Sequence, residues 1–454
     1  MIIKLIQPRM IKRPMDTGLK TKMSPSLGLL TIANMLQDKH TIIYENENIK
    51  DIDFDEKVDI VGISITVDIF PRACEIAKIF QSKNIPVVAG GIHITANPDE
   101  SEKYFDALSI GLAELTWYDI ISDFEKGCLK KRYTHNSANI KPENIVSPAY
   151  NLINRSEYLY YNIISTSRGC PFKCDFCYNS CDAYKGLFVT RNIDDIIADI
   201  KAINSTHIMF IDDNLIGNPS WTFDLLKALK PLNLKWNAAV SSNVVDIPNM
   251  LDEMKAAGCQ SLFIGFESIN TSSIEDVSKV QNNVECYNYI VSEIHKRGIM
   301  INASFVFGLD GDTKDTFDKT LKWIVDNKIE TVTSHILTPY PGTELYKKFK
   351  TAGRLISDDY EKYNTANVVF KPKNITEQEL QLGYLKIYKD IYTIKNIIKR
   401  MPKSKNQWIP YLLFNLFYRK FGKFTDFICS IIGYKNIGRL AALVSYKTKS
   451  NLGK

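Results

Sequence analysis

The 454-residue chain has no run of about 20 apolar residues, the length a helix needs to cross a bilayer. Its longest uncharged stretches, 23–37 and 84–98, are shorter than that and contain proline and polar residues. The opening segment, Met1 to Pro8, is too short and turns polar too quickly for a signal peptide. Nine cysteines in a chain of this length do not form a disulfide framework. An exported or membrane-spanning protein is therefore not expected, and the reading is a cytoplasmic one. In that compartment thiols stay reduced, so clustered cysteines point to metal or redox chemistry. No Gly-x-Gly-x-x-Gly follows the first strand pattern, which weakens a nicotinamide-binding reading. Solenoid repeats and low-complexity tracts are also missing.

What is present is an ordinary globular composition, 45% hydrophobic and 24% charged, enough for two or three domains. The net charge of +6 is uneven. Residues 371–454 hold 17 Lys and Arg against 4 Asp and Glu, so the rest of the chain sums to −7. The basic part is an appendage rather than the character of the whole protein.

The apolar pattern divides the chain into four parts. Over residues 1–128, strand-like runs at 2–7, 41–45, 59–66, 86–89 and 107–110 alternate with helical periods at 26–37 and 72–81. That alternation predicts a doubly wound parallel α/β sheet, which binds ligands beyond the carboxyl ends of its strands. Those ends carry Ser64, Thr66, Gly90, Gly91, His93, Gly111 and Glu114. Residues 129–155 read as a polar linker. From 156 to 370, strands at 162–167, 207–211, 235–240, 261–266, 301–307 and 331–337 are separated by helices near 193–203, 221–229, 248–257, 284–297 and 315–327. Six β/α units predict a partial barrel with its chemistry at the strand carboxyl ends. Residues 371–454 read as helical, with helices at 384–400, at 408–418 and within 426–445.

The strongest motif is Cys170-x3-Cys174-x2-Cys177, directly after the first barrel strand. Three thiolates in one loop can hold three irons of a cubane cluster, leaving the fourth iron open to a small molecule; electron-transfer ferredoxins close all positions with cysteine. A structural zinc site is the competing reading, but it needs four ligands in two pairs, and no second Cys-x2-Cys or His pair follows. Cys181 reads as a bystander. Asp212, Asp213, Ser241 and Glu267 stand at the ends of the second, third and fourth barrel strands; the plain alternative is that such residues cap the next helix. Gly308 and Gly311 follow the fifth strand, where they permit either a close ligand approach or an ordinary turn.

Cys170-x3-Cys174-x-Phe176-Cys177 on a six-strand partial barrel resembles the radical S-adenosylmethionine (SAM) enzymes. The resemblance implies a 4Fe-4S cluster on Cys170, Cys174 and Cys177, with SAM chelating the open iron. Cleavage of SAM then yields a 5′-deoxyadenosyl radical. Phe176, Asp212, Asp213, Ser241, Glu267 and Gly308 are the implied SAM contacts. Pro339-Tyr340-Pro341-Gly342-Thr343 and the run from Gly353 to Pro372 resemble the cobalamin-dependent members, the class B methyltransferase-like group. A doubly wound domain before the barrel fits that arrangement and implies cobalamin near Ser64, Thr66, Gly90, Gly91, His93, Gly111 and Glu114. The family's Asp-x-His-x-x-Gly signature is missing, since Asp38-Lys39-His40 leads to Ile43. No histidine is therefore expected to ligate cobalt, and His93 reads as a loop residue or hydrogen-bond donor.

The implied activity is methyl transfer to an unactivated carbon, with radical rearrangement, cyclisation or oxidation as the alternative. A small-molecule or lipid substrate and a reductant such as flavodoxin or ferredoxin would be the partners. An iron–sulfur electron carrier or sensor and a cobalamin chaperone are the non-enzymatic alternatives. RNA modification is disfavoured because the C-terminal region reads as helical. In that region, Trp408, Phe414, Phe417 and Phe427 are interleaved with lysines and arginines. The pattern suits either a helical cap with solvated lysines or contact with a membrane surface. Nucleic acid is not an expected partner.

Overall fold

The structure, a computed structural model, describes residues 1–135 and 140–445. The last nine residues, with Lys447, Lys449 and Lys454 of the basic tail, lie outside it. Its first unit is a fully parallel six-stranded sheet of β1 (Ile2–Gln7), β2 (Thr41–Asn46), β3 (Ile60–Ser64), β4 (Val87–Gly90), β5 (Ala107–Ile110) and β6 (Arg132–Thr134), in the order β2-β1-β3-β4-β5-β6. Its central strands are apolar on both faces because helices cover both. Val61, Ile63 and Ala89 pack under the helix Phe70–Ser82, through Phe70, Ile76 and Phe80. Ile3, Leu5 and Val88 face the opposite layer, built from Leu29, Ile32, Trp117 and Ile120. The five strands expected from the sequence all form. The segment read as a linker contributes the sixth, since Arg132–Thr134 pairs with Leu108–Ile110 on the sheet edge. Its polar exposed face hid it from a periodicity reading.

The second unit is a partial barrel of six parallel strands, β7 (Ile163–Ile164), β10 (His207–Phe210), β11 (Lys235–Val240), β12 (Cys259–Glu267), β13 (Met300–Phe307) and β14 (Thr331–Ile336), paired in that order. Helices 193–203, 219–229, 250–256, 287–296 and 316–326 cover its outside. The first strand is shorter than expected. After Ile164 the chain leaves the sheet, because Asp212 Oδ1 accepts from the backbone N–H of Thr166 (2.7 Å) and Ser167 (2.6 Å). It then forms an antiparallel hairpin of β8 (Ser167–Gly169) and β9 (Phe188–Thr190).

The C-terminal region is helical, as expected, with more breaks. The expected helix 384–400 is two: Glu377–Ile391, started by a Thr376–Glu379 capping box, and Ile394–Lys399, capped by Thr393. Trp408–Leu412 widens into a π-helical stretch at Leu413–Lys420, followed by helices Gly422–Ile432 and Tyr434–Ser445. Among the described residues no helix is long and apolar enough to cross a membrane.

Candidate functional site

The three motif cysteines occupy the long loop between β8 and β9. The hairpin closes only around glycine: Gly169 has φ +80°, and a Cβ there would lie 2.0 Å from the Leu187 carbonyl oxygen. The loop is tied to its surroundings at Asp175, whose N–H donates to Val277 O (3.0 Å) and whose carbonyl accepts from Leu345 N (2.9 Å). Lys348 pairs with the Asp175 carboxylate at 2.5 Å. Cys174 is buried, Cys170 and Cys177 are half-buried, and none is in a disulfide.

Burial pushes the Cys170 thiol up to about 11 and the Cys177 thiol up to about 12, with Cys174 raised as well. Each of Cys170 and Cys177 also feels Cys174. Among the described residues no three His, Cys, Asp or Glu side chains close on a point that would hold one metal ion. Thiols that sense one another without converging suit a multi-iron cluster, which takes one thiolate per iron, and the charge of the irons offsets the burial that opposes thiolates.

Two buried polar atoms without partners lie on or beside this loop, Tyr178 OH and Gln281 Oε1. Such groups are costly unless a ligand satisfies them. Asp212 uses Oδ1 on Thr166 and Ser167, and burial raises its pKa. The Asp213 carboxylate is reached by Asn179 Nδ2 at 3.3 Å, and burial raises it too. Ser241 is joined to Asn214 and Asn243 by side-chain hydrogen bonds of 3.1 and 2.6 Å. Glu267 ends β12 at a bulge with φ +63°, a strained conformation for a residue with a side chain.

Sequence reasoning missed the partner of Glu267. Lys279 Nζ lies 2.5 Å from Glu267 Oε1 and 5.8 Å from the centre of the Phe176 ring. Burial works against the Lys279 charge, but Glu267 and the Cys174 and Cys177 thiols overcome it and leave its pKa raised. Lys279 sits in a loop, away from any strand end, so no spacing rule marked it.

Gly308 is closely packed. With φ +98°, its missing Cβ would meet Leu380 at 2.7 Å and Phe370 at 2.9 Å, both from the segments that follow the barrel. Gly311 likewise faces Ser272 and Ser273.

The carboxyl end of the first sheet faces the cysteine loop. Ser64 ends β3, half-buried, and the Thr66 hydroxyl donates to Asp68 at 2.7 Å. A Cβ on Gly90 would lie 3.4 Å from Ser109 Cβ, and Gly111 donates its N–H to Thr95 Oγ1 at 3.0 Å.

Three further residues expected at this end are packed against or paired with the protein itself. Gly91, at φ +99°, has Ile65 backbone atoms 2.7 and 2.8 Å from its would-be Cβ, so the glycine admits close approach of its own chain. His93 lies on the short helix Ile92–Ala96, fully buried between Phe70 (4.7 Å) and Tyr360 (5.2 Å), with both ring nitrogens unpartnered. It is neither a loop residue nor a donor, and burial lowers its pKa to about 4. Glu114 is already engaged, pairing with Arg168 at 2.9 and 3.0 Å. That ion pair joins the sheet to the residue two before Cys170.

Tyr178, next to Cys177, stacks on Tyr340 at 4.8 Å. A Cβ on Gly342 would lie 2.4 Å from Ala96 O, so the Pro339–Thr343 turn is pressed against the first unit. A cavity of ≈ 510 Å³ between the two units is lined by Gly111, Thr134, Asp182, Lys185 and Val189, among others. The cavity thus lies between the carboxyl end of the first sheet and the loop that carries the cysteines.

Comparison with known proteins agrees with this arrangement. The Radical SAM superfamily profile matches residues 164–324, and a domain of unknown function, DUF4070, matches 343–425. The chain is 28% identical over 433 residues to bacteriochlorophyllide d C-12(1)-methyltransferase of Chlorobaculum tepidum, covering 92% of this chain and 93% of that one. Among solved structures, the cobalamin-dependent SAM radical enzyme OxsB with aqua-cobalamin bound superposes with TM-score 0.67 at 16% identity, over 93% of this chain and 72% of that one. The radical SAM methyltransferase TsrM from Kitasatospora setae, with cobalamin and a [4Fe-4S] cluster bound, gives 0.62 at 16% identity, over 77% and 78%. Residues 164–324 thus match the Radical SAM superfamily, and the chain along most of its length is similar to enzymes named as radical SAM or bacteriochlorophyllide methyltransferases.

Proposed function

We propose that this enzyme transfers a methyl group to an unactivated carbon, holding a 4Fe-4S cluster on Cys170, Cys174 and Cys177 and cobalamin in the cleft between its two parallel sheets. The observation that carries the reading is that Arg168, at the foot of the three-thiol loop, pairs with Glu114 after β5, while Gly342, after the last barrel strand, packs on Ala96 after β4. When bound, the cluster supplies the electron that cleaves SAM, and cobalamin supplies a methyl carrier.

The chain's own residues would bind, orient and exclude water. Asp212 fixes the base of the cysteine loop through Thr166 and Ser167 and presents a buried carboxylate just beyond β10. Asp213 and Ser241 offer further acceptors on the same rim. Glu267 and Lys279 form a buried ion pair that fixes a carboxylate at the end of β12 and a positive charge beside the thiols. Ser64, Thr66, Gly90 and Gly111 remain the candidates for cobalamin contact, whereas Gly91, His93, Gly308 and Glu114 serve packing and the interface.

The test is anaerobic purification, cluster reconstitution and loading with hydroxocobalamin, followed by corrin absorption of the desalted protein and assay of SAM products. Near-stoichiometric corrinoid, with 5′-deoxyadenosine and S-adenosylhomocysteine both formed, supports the reading. Alanine at any of the three cysteines should abolish 5′-deoxyadenosine while leaving corrinoid retention intact. A wild-type protein that cleaves SAM but retains no corrinoid overturns the cobalamin part.

A further inference from the structure

The C-terminal helices have two faces of opposite character. The inner face is built into the barrel. Arg400, fully buried, donates to Ile329 O, Glu330 O, Ile391 O and Asn415 Oδ1 at 2.8–3.1 Å. Cys429 and Tyr434 pack with Leu19.

The outer face is apolar and exposed. On helix 422–432, Phe424, Phe427 and Ile431 are 61, 62 and 69% exposed, with Phe421 and Ile432 beside them about half exposed. Their spacing of three and four residues puts 424, 427 and 431 on one stripe. A helix docked on a globular core turns such a stripe inward. Here the buried positions are taken by Gly422 and Cys429 instead.

The charge around this stripe has one sign. Lys420, Lys423 and Arg439 are exposed at its margins. Asp426, the single acid after Asp390, turns inward and accepts from Gly18 N (3.0 Å) and Tyr434 OH (2.9 Å). Contiguous exposed apolar surface marks an interaction site. Two copies of this face would bring like charges together, whereas an anionic surface complements it.

We propose that this face docks on an anionic phospholipid membrane, with the Phe424, Phe427 and Ile431 side chains entering the acyl boundary and Lys420 and Lys423 at the headgroup phosphates. The helix lies in the interface, because no helix among the described residues is long and apolar enough to cross. The inference stands apart from the proposed chemistry, since it uses no residue of the cleft.

The test is co-sedimentation of the full chain with vesicles of phosphatidylcholine alone and of phosphatidylcholine mixed with phosphatidylglycerol, at low and high salt. Binding should require phosphatidylglycerol and fall with salt. Lys420→Gln and Lys423→Gln should each weaken it about fivefold. The triple variant Phe424→Ser, Phe427→Ser, Ile431→Ser should weaken it more than about tenfold. These side chains are solvated, so the variants fold as the wild type does, which circular dichroism checks. No sedimentation, equal sedimentation with neutral vesicles, or a dimer in gel filtration that the triple variant converts to monomer would each overturn the proposal.

Discussion

His93 offers the sharpest test of the structural reasoning. Its imidazole is fully buried between Phe70 and Tyr360, neither nitrogen has a partner, and burial brings its pKa to about 4. An unfolded histidine titrates near 6.5. Because the folded value is depressed, the stability contributed by the neutral ring is fully present above pH 6.5 and is lost as pH falls toward 4. One pKa unit is worth about 1.36 kcal/mol, so acidification from pH 7.5 to pH 5 should cost about 2 kcal/mol through this residue alone. His93→Leu, close in volume, removes the titrating group at the price of two ring contacts. Urea unfolding of both proteins at pH 7.5, 6.5 and 5 measures the difference, and the buried His207 and His335 cancel because both proteins contain them. The expected result is a stability difference that moves by about 2 kcal/mol in favour of the variant on acidification. A difference that stays constant with pH would refute the buried, unpartnered geometry. Corrinoid retention should not change; loss of corrinoid would return His93 to the cofactor face.

Asp312 gives the opposite sign. Burial raises its pKa to about 6 although Gly308 N, Leu309 N and Ser273 donate to it. The folded state therefore binds the extra proton, and stability falls as pH rises from about 4 to 6; Asp312→Asn should gain about 2 kcal/mol over wild type between pH 4.5 and 7, read by the same unfolding series. Gly91→Ala forces a side chain at φ +99° into the Ile65 backbone and should cost at least about 2 kcal/mol in urea unfolding; a loss below about 0.5 kcal/mol would mean that the turn adapts. For Glu114 and Arg168, a double-mutant cycle of Glu114→Gln and Arg168→Met should give a coupling of about 1 kcal/mol, because the pair is largely shielded from water; zero coupling would deny that it joins the two units.

Local periodicity carried much of the fold. The five strands of the first sheet and five of the six barrel strands fall within a few residues of the expected positions, because a strand buried between helical layers must be apolar along its length. Departures come where a distant group acts on the chain. Asp212 pulls Thr166 and Ser167 off the sheet from 46 and 45 residues away and so shortens the first barrel strand. Edge strand β6 has too few apolar residues to register as a strand.

The cysteine motif was legible because cluster ligation is local: three thiolates within eight residues of one loop suffice. Its surroundings were not. Gly308 read as either a ligand approach or an ordinary turn, and only the tertiary structure brings Phe370 and Leu380 against it, as it brings Ile65 against Gly91. Glu114 looked like a free carboxylate at a strand end until Arg168 came to meet it. Lys279 carried no spacing signal, since what matters is its approach to Glu267 in space, and the motif around Tyr340 gave no hint of its stacking on Tyr178. By itself, then, the sequence determined the two parallel α/β units, the helical basic end and the three-thiol loop. Tertiary structure alone decided which polar groups are already satisfied by protein and which face the cleft, because burial and pairing depend on neighbours far along the chain.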